Sequence, residues 1–528
     1  MPTTAELQRA VGDALARLSR EPGVREVEVF AAANRALLAR LSYTSNIACN
    51  GVEEPKSAES HGFGVQVVLD GPDGPLIGFG AEPSDLSVAG AERAMAKARR
   101  AAVRDPEFYG LPEPSAEPRQ LDDYHDPEVA ELADERLVEV GWQALHGALG
   151  AFLASSRLAA LAGDDEGLRR LGLIVGGDVT LLTERIAIAS SRMPRPQSDE
   201  STLCTSSLTA MVESRGAKGS GWSTGTRVVQ LDAEAGTDAA RSAIEAIGGE
   251  DVPAGDYTVV FGPQPVTDLF NNLLLPACHA SSFFSLSTPF LGKLGQRVVA
   301  EELSIHDHGA LRGLMGSKGI TCEGLPTGRT DLIKDGRLVG LLASWYDAQR
   351  LLRDPGAREK LGVAPEAAAA ALVARNGFRY GERGGRAFET QPGTAASNVL
   401  VEARGAVPRD ELIRRVGNGL YVGRIWYTYP INGLRAGDFT CTVVGDSFII
   451  RDGRIGPPLR ANNIRINDNI VRLLRQLVGV SESVKGTLVW AADEVVHAPE
   501  MAVAGVHVDE VADPAENLPP AGLRVQGD

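Results

Sequence analysis

The chain has 528 residues, enough for several domains with separate cores. Hydrophobic residues at 43% and charged residues at 23% are ordinary for a globular protein and exclude wholesale disorder. A formal net charge of -16 argues against nucleic acid as the main partner, because the mean field of such a surface repels a polyanion.

Cys49, Cys204, Cys278, Cys322 and Cys441 are far apart and never form C-x-x-C, so neither a disulfide framework nor a zinc ribbon is suggested. The start lacks the basic and apolar regions of a signal peptide, and no apolar run approaches the ~18 residues of a spanning helix. The expectation is a cytoplasmic chain without a membrane partner.

In chain order, Thr3 and Glu6 have capping-box spacing, and Leu7, Val11, Leu15 and Leu18 recur at helical period until Pro22-Gly23 stops them. Strands are predicted over 24–31, 35–43 and 62–69, the last ending in the turn Asp70-Gly71, followed by an Ala-rich helix over 86–103 and a proline-rich connector over 105–127. The order then recurs loosely, with a helix over 128–161, strands around 171–175, 179–188 and 206–213, and a helix over 237–247. Beyond 248–255 short strands alternate with turns such as Asp335-Gly336 and Asp452-Gly453. The fold class is therefore α+β. Sheet-and-helix subdomains occupy 1–127 and 128–250, a β-rich, mostly antiparallel domain occupies 251–508, and 509–528 reads as a flexible tail.

Three local patterns invite chemistry. Gly221-Trp222-Ser223-Thr224-Gly225 is a literal G-x-S-x-G, but the strand-like Thr226-Arg227-Val228-Val229 follows where a nucleophile elbow needs a helix, so Ser223 is expected in a hairpin loop. His306 and His308 flank Asp307 at a spacing that shares a strand face, yet no third metal ligand is near, and a solvated loop or strand end is favoured. Cys278-His279 could pair a thiol with an imidazole, although Pro276 precedes it and a packed cysteine is the stronger expectation.

Longer segments carry more. Asn50-Gly51 precedes Gly62-Phe63-Gly64-Val65-Gln66-Val67-Val68-Leu69-Asp70-Gly71; later come Gly255-Asp256-Tyr257-Thr258-Val259-Val260-Phe261-Gly262-Pro263, Phe290-Leu291-Gly292-Lys293-Leu294-Gly295 and Glu323-Gly324-Leu325-Pro326-Thr327. Ser397-Asn398-Val399, Gly437-Asp438-Phe439 and Asp452-Gly453-Arg454-Ile455 follow in order. As an ordered set these resemble the TldD/PmbA family of metalloprotease subunits.

In that family the resemblance implies two kinds of chain. TldD-like chains carry H-E-x-x-x-H on a helix and a cysteine near the C-terminus, and PmbA-like (TldE) chains lack these zinc ligands. Here the family's two histidines fall near Asn271 and Pro276, the surrounding window offers only Cys278 and His279, and 489–499 contains no cysteine. The resemblance thus implies a chain with no catalytic residue and no metal of its own. It would support a TldD-like partner that holds zinc, and the pair would degrade or trim extended, unfolded or leader-type peptides. Two alternatives stay open at this point: a stand-alone hydrolase using Cys278 or Ser223, and a non-catalytic binding or assembly protein.

Overall fold

The computed structural model describes residues 1–47, 50–114, 121, 123–381, 384–489 and 494–511. Cys49 and the greater part of the expected tail lie outside the described residues.

The chain opens with α1 (Thr4–Leu18), whose Thr3–Glu6 capping box is formed as its spacing predicts. Strands β1 (Val24–Thr44), β2 (Lys56–Leu69) and β3 (Leu76–Pro83) and helix α2 (Val88–Ala101) complete a first unit. Helix α3 (Asp134–Leu153), strands β4 (Leu173–Ser190), β5 (Gln197–Val212) and β6 (Ala217–Gly225), and helix α4 (Glu234–Glu245) repeat that order. The two units share one antiparallel sheet, because β1 pairs with β4 from Glu28↔Ser190 to Thr44↔Ile174.

Strand alternation sets the layers. Odd-numbered β1 residues Val27, Val29, Ala31 and Ala33 pack under α1 and α2, and Leu37, Ala39 and Leu41 pack under α3 and α4. Even-numbered Phe30 and Ala32 face the other way, against Ile320, Cys322, Phe378 and Phe388 of the C-terminal part. Burial on both faces makes 29–33 a continuous apolar stretch and hides the period of two.

Two breaks expected in the sequence are absent. The strands read at 24–31 and 35–43 are one strand: Asn34 looks like a turn residue, but it is buried and its Nδ2 donates to the Arg386 carbonyl at 3.0 Å. The runs at 171–175 and 179–188 likewise join as β4 through Gly176 and Gly177. The helix read over 128–161 is instead α3 flanked by the short helices Pro127–Ala130 and Ser156–Ala162.

The C-terminal part is built on a 13-stranded sheet. It comprises, among others, β7 (Gly255–Phe261), β8 (Leu303–His308), β9 (Asn398–Ala403), β10 (Arg424–Pro430), β11 (Asp438–Gly445), β12 (Ile464–Asn469), β13 (Leu477–Thr487) and β14 (Val495–Glu510), with helix α5 (Pro263–Leu269) directly after β7. Its pairings are antiparallel except β9 with β14 and β7 with Gly419–Val422. The long β14 pairs along its length with β7, β9, β12 and β13. It runs through Glu510, so Asp509 and Glu510 belong to a strand rather than to a tail. No single helix among the described residues is long and apolar enough to cross a membrane.

Candidate functional site: a cleft between the two sheets

Ser223 does not lie in a loop. It sits within β6, paired with Ser206 of β5, and a 3₁₀ turn at Val228–Gln230 follows where an elbow would need a helix. The glycines of the pattern have packing reasons. A Cβ on Gly219 or Gly221 would stand 2.2 Å and 2.0 Å from the α4 main chain, so only glycine lets that helix lie on the strand. One on Gly225 would stand 2.5 Å from Gln230 Oε1, which accepts from the N–H groups of Thr226 and Arg227. Ser223 lines a pocket of about 370 Å³ that holds no histidine among its lining residues.

The reading of His306 is also revised, whereas His308 stands at a strand end as expected. His306 is not solvated: it is 2% exposed within β8, where burial pushes its imidazole pKa down. His308 ends the strand, and its Nδ1 accepts from the Ala310 N–H at 3.2 Å. Cys278 is fully enclosed in the C-terminal core, which pushes its thiol up to about 12, and burial brings the His279 imidazole down to about 4. A protonated thiol beside a neutral imidazole is not an activated nucleophile. Among the described residues, no three His, Cys, Asp or Glu side chains gather closely enough to hold a metal ion.

Asn271 and Pro276 lie where β7 leads into a helix. Gly262 caps α5, Pro263 and Pro265 occupy its first turn, and the helix then widens into a π turn over Phe270–Leu274 in which the Leu275 N–H donates to the Phe270 carbonyl. A π turn bonds i to i+5 and is a feature often found at functional sites. Neither Asn271 nor Pro276 supplies an imidazole.

Beside this helix opens a cleft of about 540 Å³. Its walls come from both sheets: Ser207 and Trp222 from β5 and β6, Trp426 and Tyr429 from β10, and Asp268 and Asn271 from the helix. Trp222 is held by its Nε1, which donates to Thr487 Oγ1 at 3.1 Å, and by Lys485, whose Nζ lies 4.5 Å from the ring centroid. On the opposite wall Trp426, Tyr427 and Tyr429 stay 41%, 71% and 52% exposed. Large exposed rings clustered at the rim of a cleft mark a binding surface.

The helix presents carboxamides to the cleft. Gln264 Nε2 donates to the Ile425 carbonyl at 3.3 Å while its Oε1 accepts from the Ile425 N–H at 3.0 Å, so one side chain grips both main-chain groups of a strand residue. Asp268 accepts from Gln264 Nε2 at 3.1 Å and from Asn272 Nδ2 at 2.7 Å. Burial nevertheless pushes its carboxyl up to about 6. Asp446, just after β11, accepts from the Ser220 hydroxyl and, at 3.2 Å, from its N–H, tying β6 to the C-terminal part.

Sequence reasoning missed Trp222, Asp268 and the β10 aromatics. The run Trp426-Tyr427-Thr428-Tyr429 was the available signal, since bulky rings on a short strand bracketed by Arg424 and Pro430 are dense for a chain with 5% aromatic residues.

The profile of the PmbA/TldA metallopeptidase C-terminal domain matches residues 254–510, the region from β7 to β14. A protein named a metalloprotease from Synechocystis sp. is 27% identical over 246 residues, covering 46% of each chain. Metalloprotease PmbA of Escherichia coli O157:H7 is 31% identical over 116 residues, covering 22% of this chain and 26% of its own. The matches thus span less than half the length of these curated relatives. The crystal structure of TldE from Thermococcus kodakarensis superposes with a TM-score of 0.74 at 18% identity, over 95% of this chain and 100% of that one. A structure from Thermotoga maritima, described as a putative modulator of a DNA gyrase, gives 0.69 at 18% identity over 95% and 99%. The ordered motifs, the profile match over residues 254–510 and a TldE-like fold agree, and the C-terminal half of the chain carries the domain of the PmbA/TldA metallopeptidases.

Proposed function

We propose that this chain is the PmbA/TldE-like subunit of a TldD/TldE-type zinc metalloprotease, lacking a metal of its own and supporting a TldD-like partner that holds zinc. The observation that carries the reading is the helix after β7. It carries a π turn over Phe270–Leu274 and presents Asn271 and Pro276 where the resemblance implies the family's two histidines. Catalytic zinc takes about three imidazole, carboxylate or thiolate ligands, and neither a neutral carboxamide nor a proline ring is one of these. The residues here do not fit zinc.

What the chain contributes is a wall. The cleft combines aromatic faces with carboxamides and carboxylates, which suits an extended, unfolded or leader-type peptide: rings take side chains of varied shape, and the amides take main-chain groups that every peptide has. The negative surface speaks against nucleic acid as the independent ligand. Ser223, locked in a ladder, and Cys278, enclosed in the core, favour this role over a stand-alone hydrolase.

The test is reconstitution. The purified chain alone leaves unfolded peptides uncut, mixing it with a TldD-like chain yields activity, and a chelator abolishes that activity. Cleavage by the chain alone in excess chelator, or about one zinc per chain surviving dialysis, overturns the reading.

A further inference from the structure

Asn271 lines the cleft, yet its Nδ2 and Oδ1 are both closed off from water and meet no partner among the described residues. An unpaired buried polar group is costly, and a carboxamide unpaired at both ends doubles that cost. Such a group persists where something else completes it. The completing ligand must offer an acceptor to the Nδ2 and a donor to the Oδ1. A metal ion offers neither a hydrogen-bond acceptor nor a donor of its own, an anion offers only acceptors, and a main-chain amide offers both.

The same helix already contains this interaction. Seven residues earlier, Gln264 grips the C=O and N–H of Ile425 in β10 with its own carboxamide. Seven residues of helix advance about 10 Å, the length of about three residues of strand. Asn271 therefore sits about three strand residues farther along the same wall, with the aromatic groups of Trp222 and Trp426 beside the gap.

We propose that Asn271 is the main-chain anchor of this cleft: its carboxamide pairs with the N–H and C=O of one residue of an extended peptide, as Gln264 pairs with Ile425. The proposal rests on the cleft being a peptide wall and adds which residue reads the peptide and how. χ2 of asparagine is a soft torsion, so a turn of the carboxamide toward the cleft costs little and gains two hydrogen bonds. Recognition through main-chain groups makes binding indifferent to side-chain sequence. It also makes binding sensitive to the loss of a single peptide N–H.

The experiment uses the full chain, alone and with a metal-stripped TldD-like partner, and a fluorescein-labelled decapeptide of Val, Leu, Thr and Ser. A companion set replaces one amide at a time by an ester, which deletes one N–H without adding bulk. The native chain loses about tenfold in affinity when one particular N–H is deleted. Asn271→Leu binds the parent peptide about tenfold more weakly, becomes insensitive to that ester, and melts at the same or a higher temperature because two unpaired groups are gone. Asn271→Asp, which keeps the acceptor and loses the donor, lies between. Parent-peptide affinity and ester sensitivity unchanged in Asn271→Leu overturn the inference. If Trp222→Ala then abolishes binding, the peptide-wall reading survives alone, whereas no binding by the native chain in either state removes both.

Discussion

Arg386 and Glu184 close an ion pair at 2.7 Å with both side chains shut away from water. The same guanidinium reaches Asp199 at 2.7 Å and Ser201 at 3.0 Å, and Lys318 meets the other side of Glu184 at 3.3 Å. Arg386 and Lys318 come from the C-terminal part, Glu184 and Asp199 from β4 and β5, so this buried network fastens the first sheet to the C-terminal part. Arg386→Met leaves buried carboxylates undercompensated and lowers stability by about 3–5 kcal/mol in urea unfolding. Arg40→Ala, which breaks an exposed pair with Asp178, costs less than about 1 kcal/mol.

The G-x-S-x-G pattern separates by residue. Ser223→Ala leaves the peptidase activity of the assembled complex within about threefold, where loss of a true nucleophile costs a thousandfold or more. Gly221→Ala drives a methyl into the α4 main chain and lowers the unfolding free energy by about 1–3 kcal/mol. Thermal melts and peptide hydrolysis on the two variants check both halves.

Glu323 gives a pH signature. It is 4% exposed, and burial pushes its carboxyl from 4.5 up to about 8, although both its oxygens accept from the Trp345 N–H, while Glu28 adds repulsion. A raised carboxyl pKa means that the native state keeps a proton the unfolded chain has released. Its contribution is therefore most favourable below pH 4.5 and is lost as the pH rises toward 8. Glu323→Gln removes that slope, so the variant gains on the native protein by on the order of 3–5 kcal/mol between those limits. Denaturant midpoints for the two proteins across this range decide it; parallel curves contradict it.

Thiol chemistry should be silent in the folded chain. Cys204, Cys278, Cys322 and Cys441 are all buried, and burial raises every one of their pKa values, to about 12 for Cys278 and Cys322. Iodoacetamide at neutral pH leaves these four unmodified until denaturant is added, as peptide mapping will read. Rapid native alkylation of Cys278 would revive the thiol hydrolase.

Much of the architecture was legible because it is local. The capping box at Thr3 and Glu6, the period of Leu7, Val11 and Leu15, and the turns at Asp335-Gly336 and Asp452-Gly453 each announce themselves within a few residues. Asn34 misled because its partner is Arg386, far along the chain, and only that contact makes a turn-former fit inside a strand. Gly221 misled because its neighbour is a helix that comes later in the sequence. Motif order gave an expectation for the family's ligand position, near Asn271 and Pro276, and both residues lie on the helix after β7. The cleft could not: Trp222 and Trp426 belong to different sheets and form one site only after those sheets meet.

The strand β14 has a consequence for synthesis. A ribosome delivers Val495–Glu510 only after β7, β9, β12 and β13 have emerged, and each of these needs β14 as a neighbour. While translation continues, four nascent strands carry open edges, a condition that invites pairing between chains on the same message. The helix-covered sheet of residues 24–225 faces no such wait, since all its strands are made early and pair among themselves. Yield of soluble protein should therefore depend on how quickly the last segment is translated.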